Sequence, residues 1–321
     1  MAGGRLLPPA AVDVGPGKET TVQVPLRVDE RGSEEVTVAI EAVSGRMPHL
    51  LSTSPVYIHV ANALQLQMLP PIGGLLGIEV ANPSGEALKA RLRVSAGTAA
   101  VEAPLVLKAG QTEKTVSVLL PKSFPPEALL SVSAADDQGR PILTLAPEKW
   151  LPICPLAPGD VWRTWTEGDA KVAGSSSVSV VPSPEPLAQP GLTTALQLDH
   201  RFAVGWRFSC YNPPANMEAI SGKPRAVGMW VFGEGSGDIL SCRVTDSTGQ
   251  TFQPHYGPIT WKGWRFVTMD LPAHGLFCWG GAGDGVMHYP IHWTALVLIE
   301  PLAGNRNQDL RVYVTGFALQ F

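Results

Sequence analysis

Arg225-Ala-Val-Gly-Met-Trp-Val-Phe-Gly-Glu-Gly-Ser-Gly-Asp238 leads into Ile239-Leu-Ser-Cys-Arg-Val-Thr-Asp246, and then into Ile259-Thr-Trp-Lys-Gly-Trp-Arg-Phe-Val-Thr-Met-Asp-Leu-Pro272. Within these residues lie three β-type runs, Val227 to Phe232, Ile239 to Val244 and Trp264 to Leu271. Gly, Ser, Asp and Pro punctuate them at the spacing of successive strands in a sandwich. The stretch predicts an all-β domain.

The composition agrees. Charged residues make up only 16% of the 321, against 33 Gly and 30 Pro, a balance of turns and strands rather than helices. Net charge is -4 and no basic stripe runs along the chain, which argues against nucleic acid and anionic membrane as partners. No apolar run approaches the roughly 18 residues of a spanning helix, and Met1-Ala-Gly-Gly-Arg-Leu-Leu-Pro-Pro9 lacks the apolar centre of a signal peptide.

Three features mark the joins of the β runs: Gly233-Glu-Gly-Ser-Gly237, Asp246-Ser-Thr-Gly249 and Trp261-Lys-Gly-Trp264. In this order they resemble the β-jelly-roll, galactose-binding-like domains attached to bacterial glycoside-processing enzymes. The resemblance covers roughly residues 152 to 321. It implies a non-catalytic carbohydrate-binding accessory region, with a polysaccharide or oligosaccharide as ligand and an upstream catalytic domain as partner. It also implies a secreted or cell-surface protein whose signal peptide is not in this chain. The alternative is a structural spacer with no ligand of its own, because one fold hosts many functions.

The first half reads as strands with a repeat. Gly17-Lys-Glu-Thr-Thr-Val-Gln-Val24 matches Gly110-Gln-Thr-Glu-Lys-Thr-Val-Ser-Val118, and Ser44-Gly-Arg46 matches Gln138-Gly-Arg140 at nearly the same offset. The offset is that of one immunoglobulin-like sandwich of about 100 residues. Residues 63 to 149 also resemble the immunoglobulin-like modules of bacterial glycosidases, through Val80-Ala-Asn-Pro-Ser-Gly-Glu86 and Leu107-Lys-Ala-Gly110. The expected organisation is a partial immunoglobulin-like module over 1–61, a complete one over 62–150 and a jelly roll over 151–321. Trp150 to Pro158, with three prolines, reads as the linker.

Past that point the aromatic content changes: eight of nine Trp lie from Trp162 to Trp293. A pyranose presents an apolar C–H face that stacks on an indole, while its hydroxyls take polar partners. Trp230, Trp264 and Phe266 lie inside β runs, and Trp162 with Trp165 open the domain; all five read as core. Trp206, in the alternating Val204-Gly-Trp-Arg-Phe208, is a binding candidate whose face the sequence leaves open. The Gly-rich loop from Ala273 to Pro290 offers Trp279 as a stacking surface, Asp284 as an acceptor and His288 as a switchable donor. Alternatively the loop folds down as a cap with Trp279 as its plug. His255 and Tyr256, in Phe252-Gln-Pro-His-Tyr-Gly257, form a second candidate.

No catalytic set stands out. Asp284, His288 and His292 are interrupted by Pro290, Asp199-His200 has no nucleophile turn beside it, and no two acids suggest a glycosidase pair. Catalytic and metal-binding residues are therefore expected to be none. Jelly rolls of the resembled kind often hold a structural calcium, for which Glu167 and Asp169 are suited, but the last strand carries Thr315-Gly316 where acid is usual. Cys154, Cys210, Cys242 and Cys278 match no metal knuckle, and the choice between disulfides and free thiols stays open.

Overall fold

The computed structural model describes residues 64–321, apart from 112–113, 126–127, 155, 158, 168–174, 188–190, 203–207, 215–218, 221, 273–274 and 301–307, and the strand backbone over 32–44 and 47–60. Among the described residues none is helical. The chain divides into two compact units, Met1–Asn62 and Ala63–Phe321. In the first, β1 (Gly32–Ser44) and β2 (Met47–Val60) form an antiparallel hairpin with a bulge between Ile40 and Glu41. The repeat segment Gly17–Val24 lies outside the described residues.

The second unit opens with a sandwich of seven strands: β3 (Gln65–Met68), β4 (Leu75–Ala81), β5 (Leu88–Ala96), β6 (Ala99–Leu107), β7 (Lys114–Leu119), β8 (Ser131–Ala135) and β9 (Pro141–Thr144). They form one sheet in the order β3-β4-β7 and another in the order β6-β5-β8-β9. Alternation decides which side chains enter. Along β5, Ala90, Leu92, Val94 and Ala96 are buried while Lys89, Arg91 and Arg93 face water. The turn after β4 is held by Asn82, whose Nδ2 donates to the Glu86 and Lys108 carbonyls at 2.7 and 3.0 Å while its Oδ1 accepts from the Ser84 hydroxyl at 2.6 Å.

A second, larger sandwich follows. Its strands are β10 (Trp150–Cys154), β11 (Arg163–Glu167), β12 (Ser175–Pro182), β13 (Thr194–Arg201), β14 (Phe208–Asn212), β15 (Ala219–Ile220) and β16 (Ala226–Glu234). They continue with β17 (Ile239–Thr245), β18 (Gln250–Phe252), β19 (His255–Pro258), β20 (Lys262–Asp270), β21 (Cys278–Gly280), β22 (Ile291–Ile299) and β23 (Asp309–Gln320). One sheet runs β12-β13-β23-β16-β20 with β10 beside β23; the facing sheet runs β11-β14-β22-β17-β18-β21, with β15 on β22 and β19 on β17. Every pairing is antiparallel. Between the sheets Trp162, Trp293 and Phe317 form an aromatic cluster with ring centres 4.9 to 6.0 Å apart.

The expected linker is a strand instead: Trp150–Cys154 pairs with β23, and Trp150 is buried. Prolines do not prevent this because β10 hydrogen-bonds along one edge only. The outer face of the six-stranded sheet is covered over β10, β16 and β20, since one continuous buried cluster runs from Leu64, Met68 and Leu130 of the first sandwich to Trp150, Trp230, Phe266 and Ala318 of the second. Of the three described cysteines, Cys210, Cys242 and Cys278 are all free thiols, and burial pushes the Cys242 thiol up to about 12. The Cys154 side chain lies outside the described residues.

The seam between the sandwiches needs a residue without a side chain at 228. A Cβ on Gly228 would come within 2.6 Å of Phe266 and 2.7 Å of Trp150, whose rings are locked edge-on at 5.6 Å. Gly228→Ala is expected to cost about 1–3 kcal/mol by overpacking, measured by urea unfolding followed through tryptophan fluorescence. An unchanged midpoint would show that the seam can yield.

Candidate functional site

Directly paired residues of antiparallel strands share a face, so register alone assigns the outer face of the eight-stranded sheet. One row crosses it as Trp165, Cys210, Val297, Ser241 and His255. A second row brings Ala295 opposite Arg243, and at the far edge Thr245, Thr251 and Trp279 stand in line. The opposite face of the same strands supplies Tyr211, Leu296, Leu240, Cys242 and Phe252 to the sandwich core.

The outer face is built in two layers. Its floor is a buried apolar cluster of Phe208, Cys210, Ala295, Val297 and Ile299. Above the floor stands Arg243, whose Cζ lies 4.8 Å from the centre of the Phe208 ring, 5.3 Å from Trp279 and 5.9 Å from Trp165. Such distances place a guanidinium within reach of all three ring quadrupoles. Its Nε–H donates to Gln253 Oε1 at 2.8 Å, which fixes the plane of the group. Trp165 is 48% exposed, Trp279 40% and Phe277 67%, and Phe277 lies 5.4 Å from Trp279. The result is an aromatic platform centred on one immobilised cation.

The Gly-rich loop is folded against the turn between β17 and β18, as the cap reading expects, yet Trp279 is not its plug. Trp279 belongs to a strand, β21, and stands on the outer sheet face. The loop beyond it is pinned by two carboxylates. Asp246 accepts the Thr248 amide and hydroxyl at 2.8 and 2.7 Å, the Gln250 amide at 3.0 Å and the His288 amide at 3.1 Å. Burial would raise its pKa, but these donors outweigh it and hold the carboxyl below the usual range. Asp284 accepts the Val286 amide at 2.9 Å and pairs with His288 Nε2 at 2.8 Å. Gly281, at φ +52°, has its Cα so close to the Gln250 backbone that a Cβ would overlap it.

The sequence-derived candidates therefore separate. Trp279 and His255 share the outer face; Asp284 and His288 bind each other at its rim. Tyr256 belongs elsewhere: it meets Trp261 edge-on at 5.6 Å and lines a cleft of about 460 Å³ with Gln65, Gln67, Glu79 and Arg265, between the two sandwiches. Trp206 lies outside the described residues, as do the side chains of Glu167 and Asp169 considered for calcium. Thr315, the other end of that comparison, donates its hydroxyl to the Thr194 carbonyl at 2.8 Å. Among the described residues no group of three or more His, Cys, Asp or Glu is arranged to hold a metal ion.

Two residues of the platform escape the sequence reading. Trp165, expected in the core with Trp162, is instead exposed, and the signal was its odd spacing from Trp162, which puts the two on opposite faces of an extended chain. Arg243 carries no such signal, since an arginine on a strand is ordinarily a solvated residue. His200, beside Asp199, is buried against Asp238 with Nε2 3.0 Å from Oδ2, so this dyad is part of the interior.

No protein-family model matches the chain, and no curated protein is similar to it. Among solved structures it is similar to the family 11 carbohydrate-binding module of the cellulosomal cellulase Lic26A-Cel5E of Clostridium thermocellum, with a TM-score of 0.36 and 11% identity over 55% of this chain and 95% of that one. So low a score identifies neither ligand nor binding residues.

The loop's hold on the sheet is expected to depend on pH. Hydrogen bonding to Asp284 raises the His288 pKa above its ordinary 6.5, so that contribution is complete below 6.5 and is lost as pH rises through the raised folded value. The Val286 amide and His288 lower Asp284 below 3.8, a contribution complete above 3.8 and lost as pH falls through the lowered folded value. Hydrogen-exchange protection of residues 282–288, corrected for intrinsic rates, should peak between these limits and decline toward pH 8. Asp284→Asn should flatten the profile, and a flat profile in the parent would show that the pair is too well solvated to matter.

Proposed function

We propose that this chain is a non-catalytic carbohydrate-binding region that receives a glycan on the outer face of the eight-stranded sheet. The observation that carries the reading is the pair of exposed indoles, Trp165 and Trp279, standing on one antiparallel face with Arg243 between them. Folding accounts for the buried tryptophans but leaves large apolar rings of this kind in water unexplained. Pyranose rings stacked on Trp165, Trp279 and Phe277, with hydroxyls bonded to Thr245, Thr251 and His255, use each feature of the platform. The carboxylates at its rim, Asp246 and Asp284, are engaged in holding the loop, and the reading is of binding alone.

The finer assignments belong to the same proposal: an immunoglobulin-like first sandwich, a jelly-roll second one, and a secreted or cell-surface accessory role beside a glycan-degrading catalytic domain. They are supported by the motifs Gly233–Gly237, Asp246–Gly249 and Trp261–Trp264, and by the two-sheet arrangements of seven and fourteen strands. A purely structural role is the second reading. It is favoured by the shared core at Trp150, Trp230 and Phe266, which shows the second sandwich already serving as a packing surface.

Affinity electrophoresis through gels containing a panel of soluble plant and microbial glycans distinguishes the two. The parent should be retarded by at least one glycan, with single-site affinity in the micromolar to millimolar range. Trp165→Ala and Trp279→Ala should each weaken binding about tenfold or more, ~1.4 kcal/mol, with circular dichroism unchanged. Retardation that survives both substitutions would move the site off this face; no retardation on any glycan would leave the structural role.

A further inference from the structure

Resting on the carbohydrate reading, the geometry points to an anionic glycan, one carrying carboxylates at regular intervals, with the guanidinium of Arg243 as the group that recognises the acid. Arginine presents five N–H donors in a planar fork. Only the Nε–H of Arg243 is engaged, by Gln253; Nη1 and Nη2 make no hydrogen bond among the described residues. A cation needed only to fill space between rings would not require a fork held in plane by a buried amide, and Gln253 is buried. The two terminal nitrogens form the edge that matches the two oxygens of a carboxylate.

A second arginine stands near this edge. Arg163 stands on the same face, two residues before Trp165 on β11, and β11 lies three strand spacings or about 14 Å from β17, which carries Arg243. It is exposed, and among the described residues no carboxylate pairs with it or with Arg243. Among the described side chains facing outward on β11, β14, β17, β18, β19, β21 and β22 the remaining ionisable groups are Cys210, His255 and His292, and none is acidic; Glu167, opposite Phe208 on β11, has its side chain outside the described residues. The rim acids are engaged locally, Asp284 with His288 and Asp246 with four hydrogen-bond donors. On a chain of net charge -4, the described side chains of this face thus include two arginines and no acid.

Neutral sugars need the rings and polar rim alone. A uronic acid uses all three elements together: its C–H face stacks on Trp165 or Trp279, its carboxylate takes the Arg243 fork, and a second carboxylate farther along the polymer reaches Arg163. A sulfate ester also presents two oxygens to such a fork, and the sulfated polymer in the experiment separates the two acids.

The test uses the full chain and polygalacturonate, alginate and hyaluronan, each compared with its carboxyl-reduced neutral form, with dextran sulfate as the sulfated control. Binding is measured by affinity electrophoresis and calorimetry at two salt concentrations. At least one polyuronate should bind about tenfold or more tightly than its reduced form, and added salt should weaken it. Arg243→Gln should bring the ratio of polyuronate to reduced-polymer affinity to about one, and Arg243→Lys should restore only part of it. Equal affinity for a polyuronate and its reduced form overturns the inference and leaves carbohydrate binding standing, as does binding only to neutral glycans. Stronger binding to dextran sulfate than to every polyuronate overturns the carboxylate assignment in favour of sulfate. Failure to bind any glycan, charged or neutral, removes the carbohydrate reading itself.

Discussion

The backbone of β16 is pressed from both sides, and the larger sandwich depends on that. Val227, Met229 and Val231 enter the core between the sheets, while Gly228 and Trp230 turn toward the first sandwich beneath Trp150 and Phe266. A strand covered on both faces must be apolar throughout, which is why this stretch reads as a continuous run rather than an alternating one. Removing one side chain, at Gly228, lets two aromatic rings approach the sheet closely enough to join two sandwiches into one buried cluster.

Covering the six-stranded sheet has a consequence for its partner. The two sheets face each other across Trp162, Trp293 and Phe317, and while the first sandwich covers β10, β16 and β20, the eight-stranded sheet keeps a broad outer face. The apolar floor of Phe208, Val297 and Ile299 supports the platform there, and a rigid floor limits the ordering cost of binding. The pinned Gly-rich loop contributes by fixing β21, hence Trp279, at the sheet edge. Arg243 unites the three rings by a contact that is partly stacking and partly electrostatic.

Side-chain direction alternates along a strand, and this separates residues that are close in sequence. Trp162 and Trp165 open the domain and both read as core, but three residues of separation on an extended chain reverse the face of Trp165. His255 and Tyr256 were grouped by adjacency, and adjacency on a strand sends them to opposite sides, one to the platform face and the other to the cleft between sandwiches. Trp150 and its prolines suggested a linker, but the free edge of β10 tolerates residues that cannot donate. Asp284 and His288 are together because a loop folds back, an event of tertiary structure.

By itself the sequence determined that this chain is built of strands, where its turns fall, and that its aromatic surface is concentrated after Trp162, because strand propensity, Gly and Pro geometry and composition act locally. Only the tertiary structure decided which tryptophans are core and which are platform. That choice depends on register across strands distant in sequence and on which sheet face another layer covers. A single arginine on β17 acquires its position beside Trp165, Phe208 and Trp279 through those long-range pairings, and no local pattern encodes it.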